Sequence, residues 1–346
     1  MLGKNITYYR LKQGMSKKEL AQAIGVTAMT ITHYEQNQRT PNLETSRKLA
    51  AALNTNLAGL MATPNGQHKY AHCEYRKQSR LSKTHQDYIC ASVEEYFDRF
   101  LTVSDILGAG ALREAPLIHS LKPTLNAEED ARNLRAQLGF ALEGPIPNLV
   151  GALENKGILV FLFKNDNDFF SGMNGLVDNR PYIIINKQMT PERQRSTLVH
   201  ELGHIFFENP EKDDSSWEKY MTAVSGAFLF PKEDAYSELG LHRSMVTSDM
   251  AMVAKEYGIS LQMLAKRSQV LGILDNQAYK MFNIRLNQNG GRKNEPSRID
   301  QENTSLFEQL VLRAIGEEEI TVSKGAELLK IPLSDMRHMT MLQEEC

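Results

Sequence analysis

The stretch SKKELAQAIGVTAMTITHYE, residues 16–35, carries two helix starts separated by one turn. Ser16 and Glu19 have the spacing of a capping box, in which a hydroxyl and a carboxylate each satisfy the other's orphan backbone N–H. Gly25 supplies the tight turn, and Thr27 offers a cap for the second helix. Ala21, Ile24, Val26 and Ile31 fall where they pack the two helices at a fixed angle. Thr27, Ala28, Met29, Thr30, Thr32 and His33 then lie on the exposed N-terminal half of the second helix.

Working outward, Leu20, Ala21, Ile24, then Ile31 and Tyr34, then Leu49, Ala50 and Leu53 recur at helical spacing through residues 4–62. The string TPNGQ at 63–67 punctuates the chain and predicts a domain end. With Arg10, Gly14, Arg39, Pro41 and KLA at 48–50 added to the central stretch, the segment resembles the Cro/C1-type (XRE) DNA-binding domain. The resemblance implies an all-α helix-turn-helix domain over 1–66 that binds operator DNA as a homodimer on paired half-sites. It places base reading at Ala28, Met29 and His33 and phosphate contacts at Lys17, Asn37 and Arg39. Ala28 and Met29 are apolar, so readout leans toward thymine methyl groups.

Charge agrees with that reading once it is counted by segment. The 346 residues carry a formal charge of −2, which on its face excludes a strongly basic nucleic-acid binder. Residues 1–90 hold 13 basic and 5 acidic side chains, a net of +8, and the remainder holds −10. A basic end on an acidic body is the asymmetry of a nucleic-acid-facing module joined to something else.

That body contains His200-Glu201-Leu202-Gly203-His204 on a predicted helix over about 191–207. Histidines at i and i+4 share one helix face and can hold one metal ion, and Glu201 lies beside them as a general base. A third protein ligand is needed. Glu218 in WEKYMTAVSGAFLFP, residues 217–231, is the candidate, with Glu208 and Glu211 as alternatives. Strands are expected at 158–163 and 182–185, with a Gly, Asn and Asp-rich loop over 164–175 between them. Residues 182–186 read either as an edge strand that pairs with an extended substrate or as a plain core strand.

The metal-helix, connection and second helix, with GPIPNLV at 144–150, FSG at 170–172, IIIN at 183–186 and PERQRSTLVHELGH at 191–204, resemble the ImmA/IrrE metallopeptidases over roughly 125–275. The resemblance implies a zincin-like α+β domain, with Zn2+ or another divalent metal such as Mn2+ as cofactor. It implies cleavage of a protein substrate, a Cro/C1-like repressor, which derepresses stress or mobile-element genes. The expected organisation is multidomain: the helix-turn-helix over 1–66, a helical connector over 67–120, the metallopeptidase over 121–290, and a linker with a helical C-terminal region over 291–346. Within the last, 320–339 echoes a helix-turn-helix but follows Glu317, Glu318 and Glu319, so it reads as a packing or dimerisation element. A rival reading makes the whole a non-hydrolytic transcription factor whose metal-binding body senses a ligand or metal.

No apolar segment follows a basic start, and the longest apolar run, 157–163, is far short of the roughly 20 residues that span a bilayer. A cytoplasmic, nucleoid-associated bacterial protein is expected, without membrane partners. Cys73, Cys90 and Cys346 are odd in number and lack CxxC spacing, which predicts neither a disulfide framework nor a thiolate metal site.

Overall fold

The computed structural model describes residues 2–62, 68–72, 81–210, 214–288, 290–291 and 295–341. The punctuated break at 63–67, Cys73, Cys346 and Glu211 lie outside the described residues. The chain forms two compact units, Met1–Leu112 with Leu306–Cys346, and Arg113–Ser305. The four expected segments thus gather into two, and the second unit interrupts the sequence of the first.

The first unit begins with α1 (Leu2–Lys12), α2 (Lys17–Ile24), α3 (Ala28–Glu35), α4 (Leu43–Ala52) and α5 (Leu57–Met61). Both halves of the Ser16–Glu19 capping box form, Gly25 is left-handed at φ 74°, and Thr27 caps α3. Ile6, Leu20, Ile31, Leu49 and Leu53 are fully buried between these helices. Arg10 and Glu35, both almost inaccessible, pair at 2.5 Å and join α1 to the end of α3. Such a pair is costly to break because one partner would be left charged and unpaired.

After a short strand, β1 (Tyr70–His72), comes the long helix α6 (Lys83–Leu107). Ile89, Val93, Phe97, Phe100 and Leu101 form its buried stripe at helical spacing. Lys4 of α1 lies 3.4 Å from Glu94 of α6, and Tyr70 donates to Asp98 at 2.7 Å.

The second unit holds α7 (Ala127–Gln137), α8 (Leu149–Glu154), β2 (Leu159–Phe163), β3 (Gly172–Val177), β4 (Arg180–Asn186), α9 (Pro191–Phe206), α10 (Asp214–Leu229), α11 (Lys232–Leu239), α12 (Ser248–Glu256), α13 (Leu261–Val270) and α14 (Asn276–Gln288). Within this unit the strand order is β3-β4-β2. Strand β2 runs parallel to β4, and β3 antiparallel. One expectation fails here, and one pair of alternatives is decided. The loop expected over 164–175 contains most of β3, whose buried residues Met173, Gly175 and Val177 alternate with half-buried ones. Strand β4 is not an edge: both of its sides are paired, so its backbone groups are spent and cannot take up a peptide.

Helix α9 lies on the sheet and against α10, and its Leu198, Leu202, Ile205 and Phe206 join Ile183, Ile185, Val224 and Phe228 in one core. Arg135 of α7 is buried, and burial pulls its pKa down from the usual guanidinium value to about 10. It donates to the carbonyls of Phe228, Ala141 and Gly144, which ties α7 to the end of α10. The segment 295–305 is bonded down as well. Arg298 N and Ser297 Oγ donate to Glu192 of α9, and Glu302 pairs with Arg195.

The chain then returns to the first unit with α15 (Leu306–Gly316), α16 (Val322–Leu329) and α17 (Leu333–Thr340). The Phe307 ring lies tilted with its centroid 5.3 Å from that of Phe100 and edge-on 5.5 Å from that of Tyr96, Lys330 pairs with Glu95 at 2.7 Å, and Arg99 donates to the Leu328 carbonyl. The helix-turn-helix echo of 320–339 is therefore spent on packing against α6. No helix among the described residues is long and apolar enough to cross a membrane.

If α15 completes the core around α6, Phe307→Ala should cost about 3–5 kcal/mol locally. Hydrogen exchange should show α6 losing protection while α9 keeps its own; unchanged protection in α6 would refute the packing role.

Candidate metal centre and nucleic-acid face

The metal helix starts with Pro191 in its first turn, where the missing N–H costs nothing. Nine and thirteen residues later, His200 and His204 bring their imidazoles to the same face. His204 Nε2 lies 3.2 Å from His200 Nε2, and the ring centroids are 4.9 Å apart. Glu218 enters from α10: its Oε2 is 2.9 Å from His200 Nε2 and its Oε1 3.3 Å from His204 Nε2. One ligand atom from each of the three residues lies within 4.8 Å of the other two. Each side chain is about four-fifths or more buried, so the cluster opens to solvent on one side only.

Glycine explains how two helices come this close. A Cβ at Gly203 would sit 2.7 Å from the sulfur of Met221, itself fully buried. Met221 follows Glu218 by three residues, so the contact that seats the methionine under Gly203 also swings the carboxylate to the histidines. Behind His200, Thr222 Oγ1 donates to the Glu218 carbonyl at 2.8 Å and lies 3.4 Å from His200 Nδ1. With its proton committed, that hydroxyl can accept from an Nδ1–H, which leaves the Nε2 lone pair facing the cluster.

Two imidazoles and one carboxylate aimed at one point are the donor set of a three-ligand divalent metal site. Neutral imidazole nitrogens 3.2 Å apart repel unless a cation or a shared proton lies between them, so the residues present fit a metal. Glu208, the described alternative ligand, is exposed and outside the cluster.

Glu201, between the histidines on α9, is buried at 8% exposure. Asn174 Nδ2, on β3, donates to Glu201 Oε2 at 2.8 Å. Sequence reading missed Asn174 because the strand bearing it was read as a loop. One signal was present: Asp178 and Asn179 both take positive φ, as the two-residue hairpin turn joining β3 to β4 requires, and Asx residues favour that conformation.

In the first unit, Thr27, Ala28 and Met29 are exposed at the start of α3, Met29 by 63%. Thr30, Thr32 and His33 are half-buried. Thr27 Oγ1 accepts from Thr30 N and Thr32 Oγ1 donates to the Ala28 carbonyl, so these hydroxyls serve the helix itself. Lys17 pairs with Glu35 at 3.2 Å, and Asn37 Oδ1 accepts from Gly3 N. Arg39 is exposed.

Family models match a part of each unit. Residues 6–60 match a helix-turn-helix model, and residues 153–269 match the IrrE N-terminal-like domain of a peptidase family. The chain joins an XRE-type helix-turn-helix to an ImmA/IrrE-type metallopeptidase-like domain. No curated protein matches the chain. The first domain marks a DNA-binding regulator, and the peptidase family implies a divalent metal. Both matches fall inside single compact units.

Titration with Zn2+ against a chromophoric chelator checks the ligand set. Glu218→Ala should weaken binding by more than the ~10-fold expected for Thr222→Val, which removes only an outer contact. Wild-type affinity in Glu218→Ala would exclude Glu218 as third ligand.

Proposed function

We propose that this chain is a DNA-binding transcriptional regulator with zinc-dependent endopeptidase activity, whose substrate is a repressor-type protein of the Cro/C1 class. The observation that carries the reading is the convergence of His200, His204 and Glu218, with the buried Glu201 next to His200 in the same helix. Residues 1–66 are assigned to DNA, residues 121–290 to proteolysis, and residues 67–120 and 291–346 to joining and stiffening them. The protein is proposed to work in the bacterial cytoplasm, bound to the nucleoid as a homodimer.

His200, His204 and Glu218 would hold the metal. Once bound, a divalent zinc or manganese ion supplies Lewis acidity toward a water molecule and a carbonyl oxygen. Glu201 would take a proton from the attacking water and return it to the departing amine as the C–N bond breaks. Its burial keeps bulk water from competing for that proton. On α3, Ala28 and Met29 offer methyl and thioether groups to the floor of a major groove, His33 lies further along the same helix, and Arg39 is available to phosphates. Cleavage of the repressor would release the genes that it silences, and fusion to a DNA-binding module brings the peptidase to repressor already on DNA.

Two experiments test the two halves. Zinc-loaded protein incubated with candidate repressors should cut one of them, and Glu201→Gln should bind zinc normally yet cut at least ~100-fold more slowly. Equal cutting by both would remove Glu201 from the mechanism, whereas no cutting of any repressor would favour a non-hydrolytic metal or ligand sensor. For the DNA half, operator affinity should drop by about 10³-fold or more between 50 and 200 mM salt if a dimer neutralises about six phosphates. A salt-insensitive interaction would mean that residues 1–66 dock a protein instead.

A further inference from the structure

Strand β3 and helix α9 run alongside each other in matched steps. Residues 172, 174 and 176 share the half-buried face of β3, and Gly172 lies against Thr197, where a Cβ would come 2.8 Å from the threonine methyl. Two residues along a strand advance about 6.6 Å. Four residues along a helix advance about 6 Å and return to the same face. Moving from Gly172 to Asn174 therefore keeps pace with moving from Thr197 to Glu201, and the carboxamide arrives at the carboxylate with Nδ2 at 2.8 Å from Oε2. The contact follows from register and from the missing side chain at 172, which lets strand and helix close.

The chemistry of the contact is specific. A glutamate's terminal torsion is broad, so an untethered Glu201 carboxylate would sweep through many orientations. Asn174 supplies a neutral N–H, which fixes the carboxylate plane without neutralising its charge as lysine or arginine would. Only one oxygen is used. Oε1 of Glu201 makes no hydrogen bond to the described residues and stays available for proton transfer. Asn174 is itself anchored, since β3 is registered on β4 with Asn174 opposite Ile183, a fully buried residue.

We infer that Asn174 is a positioning residue for peptide hydrolysis: its side-chain N–H holds one oxygen of Glu201 so that the other faces the attacking water. This rests on the peptidase reading above. A residue that merely fills space would tolerate an isosteric replacement, and one that donates a hydrogen bond would not.

The test compares wild type, Asn174→Ala and Asn174→Asp on the repressor that wild type cuts, with Zn2+ affinity and thermal midpoint measured in parallel. Both variants should lose about 10- to 100-fold in kcat with KM within about twofold. Asn174→Asp keeps the shape but lacks the donor, so it should show no rescue over Asn174→Ala. Zn2+ affinity of Asn174→Ala should stay within about threefold of wild type, since the ligands are untouched. Wild-type kcat in Asn174→Ala, or in Asn174→Asp, overturns the assignment. So does a loss of Zn2+ affinity as large as that of Glu218→Ala, which would mean that Asn174 acts through the metal ligands. If wild type itself cuts nothing, the peptidase reading falls and the role of Asn174 falls with it, whereas activity in wild type with full activity in the variants sinks the Asn174 role alone.

Discussion

The close approach of α9 and α10 at Gly203 governs the chemistry of the second unit. Met221 fills the space that a side chain at 203 would need, and its seating there carries Glu218 to the two imidazoles. Bringing three groups with lone pairs to one point is unfavourable in itself. It is offset by the apolar mass on the other sides of both helices, where Leu198, Leu202, Val224 and Phe228 are fully buried. Each such side chain contributes about 1.5–3 kcal/mol on burial. The core thus holds open a polar cluster that would otherwise relax apart, and a cation there would turn the repulsion into binding.

The sheet does for Glu201 what α10 does for the histidines. It presents a central strand, β4, whose backbone is fully used, and a neighbouring strand that reaches the carboxylate through Asn174. Glu201 is approached from the sheet side and the histidines from the α10 side, so the two parts of the helix motif are supported by different elements. A change in one support leaves the other standing.

In the first unit the C-terminal helices behave as part of the N-terminal core. Phe307 enters the aromatic cluster of α6, while Lys330 and Arg99 gather around Glu95. Burial pushes that carboxyl up, but the two cations outweigh it and leave Glu95 below its ordinary range. The acidic run at 317–319 lies in the exposed turn between α15 and α16, and the positive character of the first ninety residues is not duplicated at the other end of the chain.

Much of the site was legible in the residues alone. The capping box at Ser16 and Glu19, the turn at Gly25, the two histidines at i and i+4 and the carboxylate between them are local patterns, and local backbone geometry suffices to give them meaning. Glu218 was legible as a candidate because a second helix with a proline after it can be read without knowing what it touches. Strand β3 was not. Its glycines at 172 and 175 and its asparagine at 174 are poor strand formers by propensity, and at Gly172 α9 presses too close for a side chain. For the same reason Asn174 could not be found: its partner is 27 residues away in sequence and is met only after strand and helix have packed. The sequence by itself determined the chemistry of the donors and the helices that bear them, because those depend on spacing within single elements. Only tertiary structure decided which strand lay in the middle, which glutamate of those described met the histidines and which residue held the base, because each depends on how closely two elements approach.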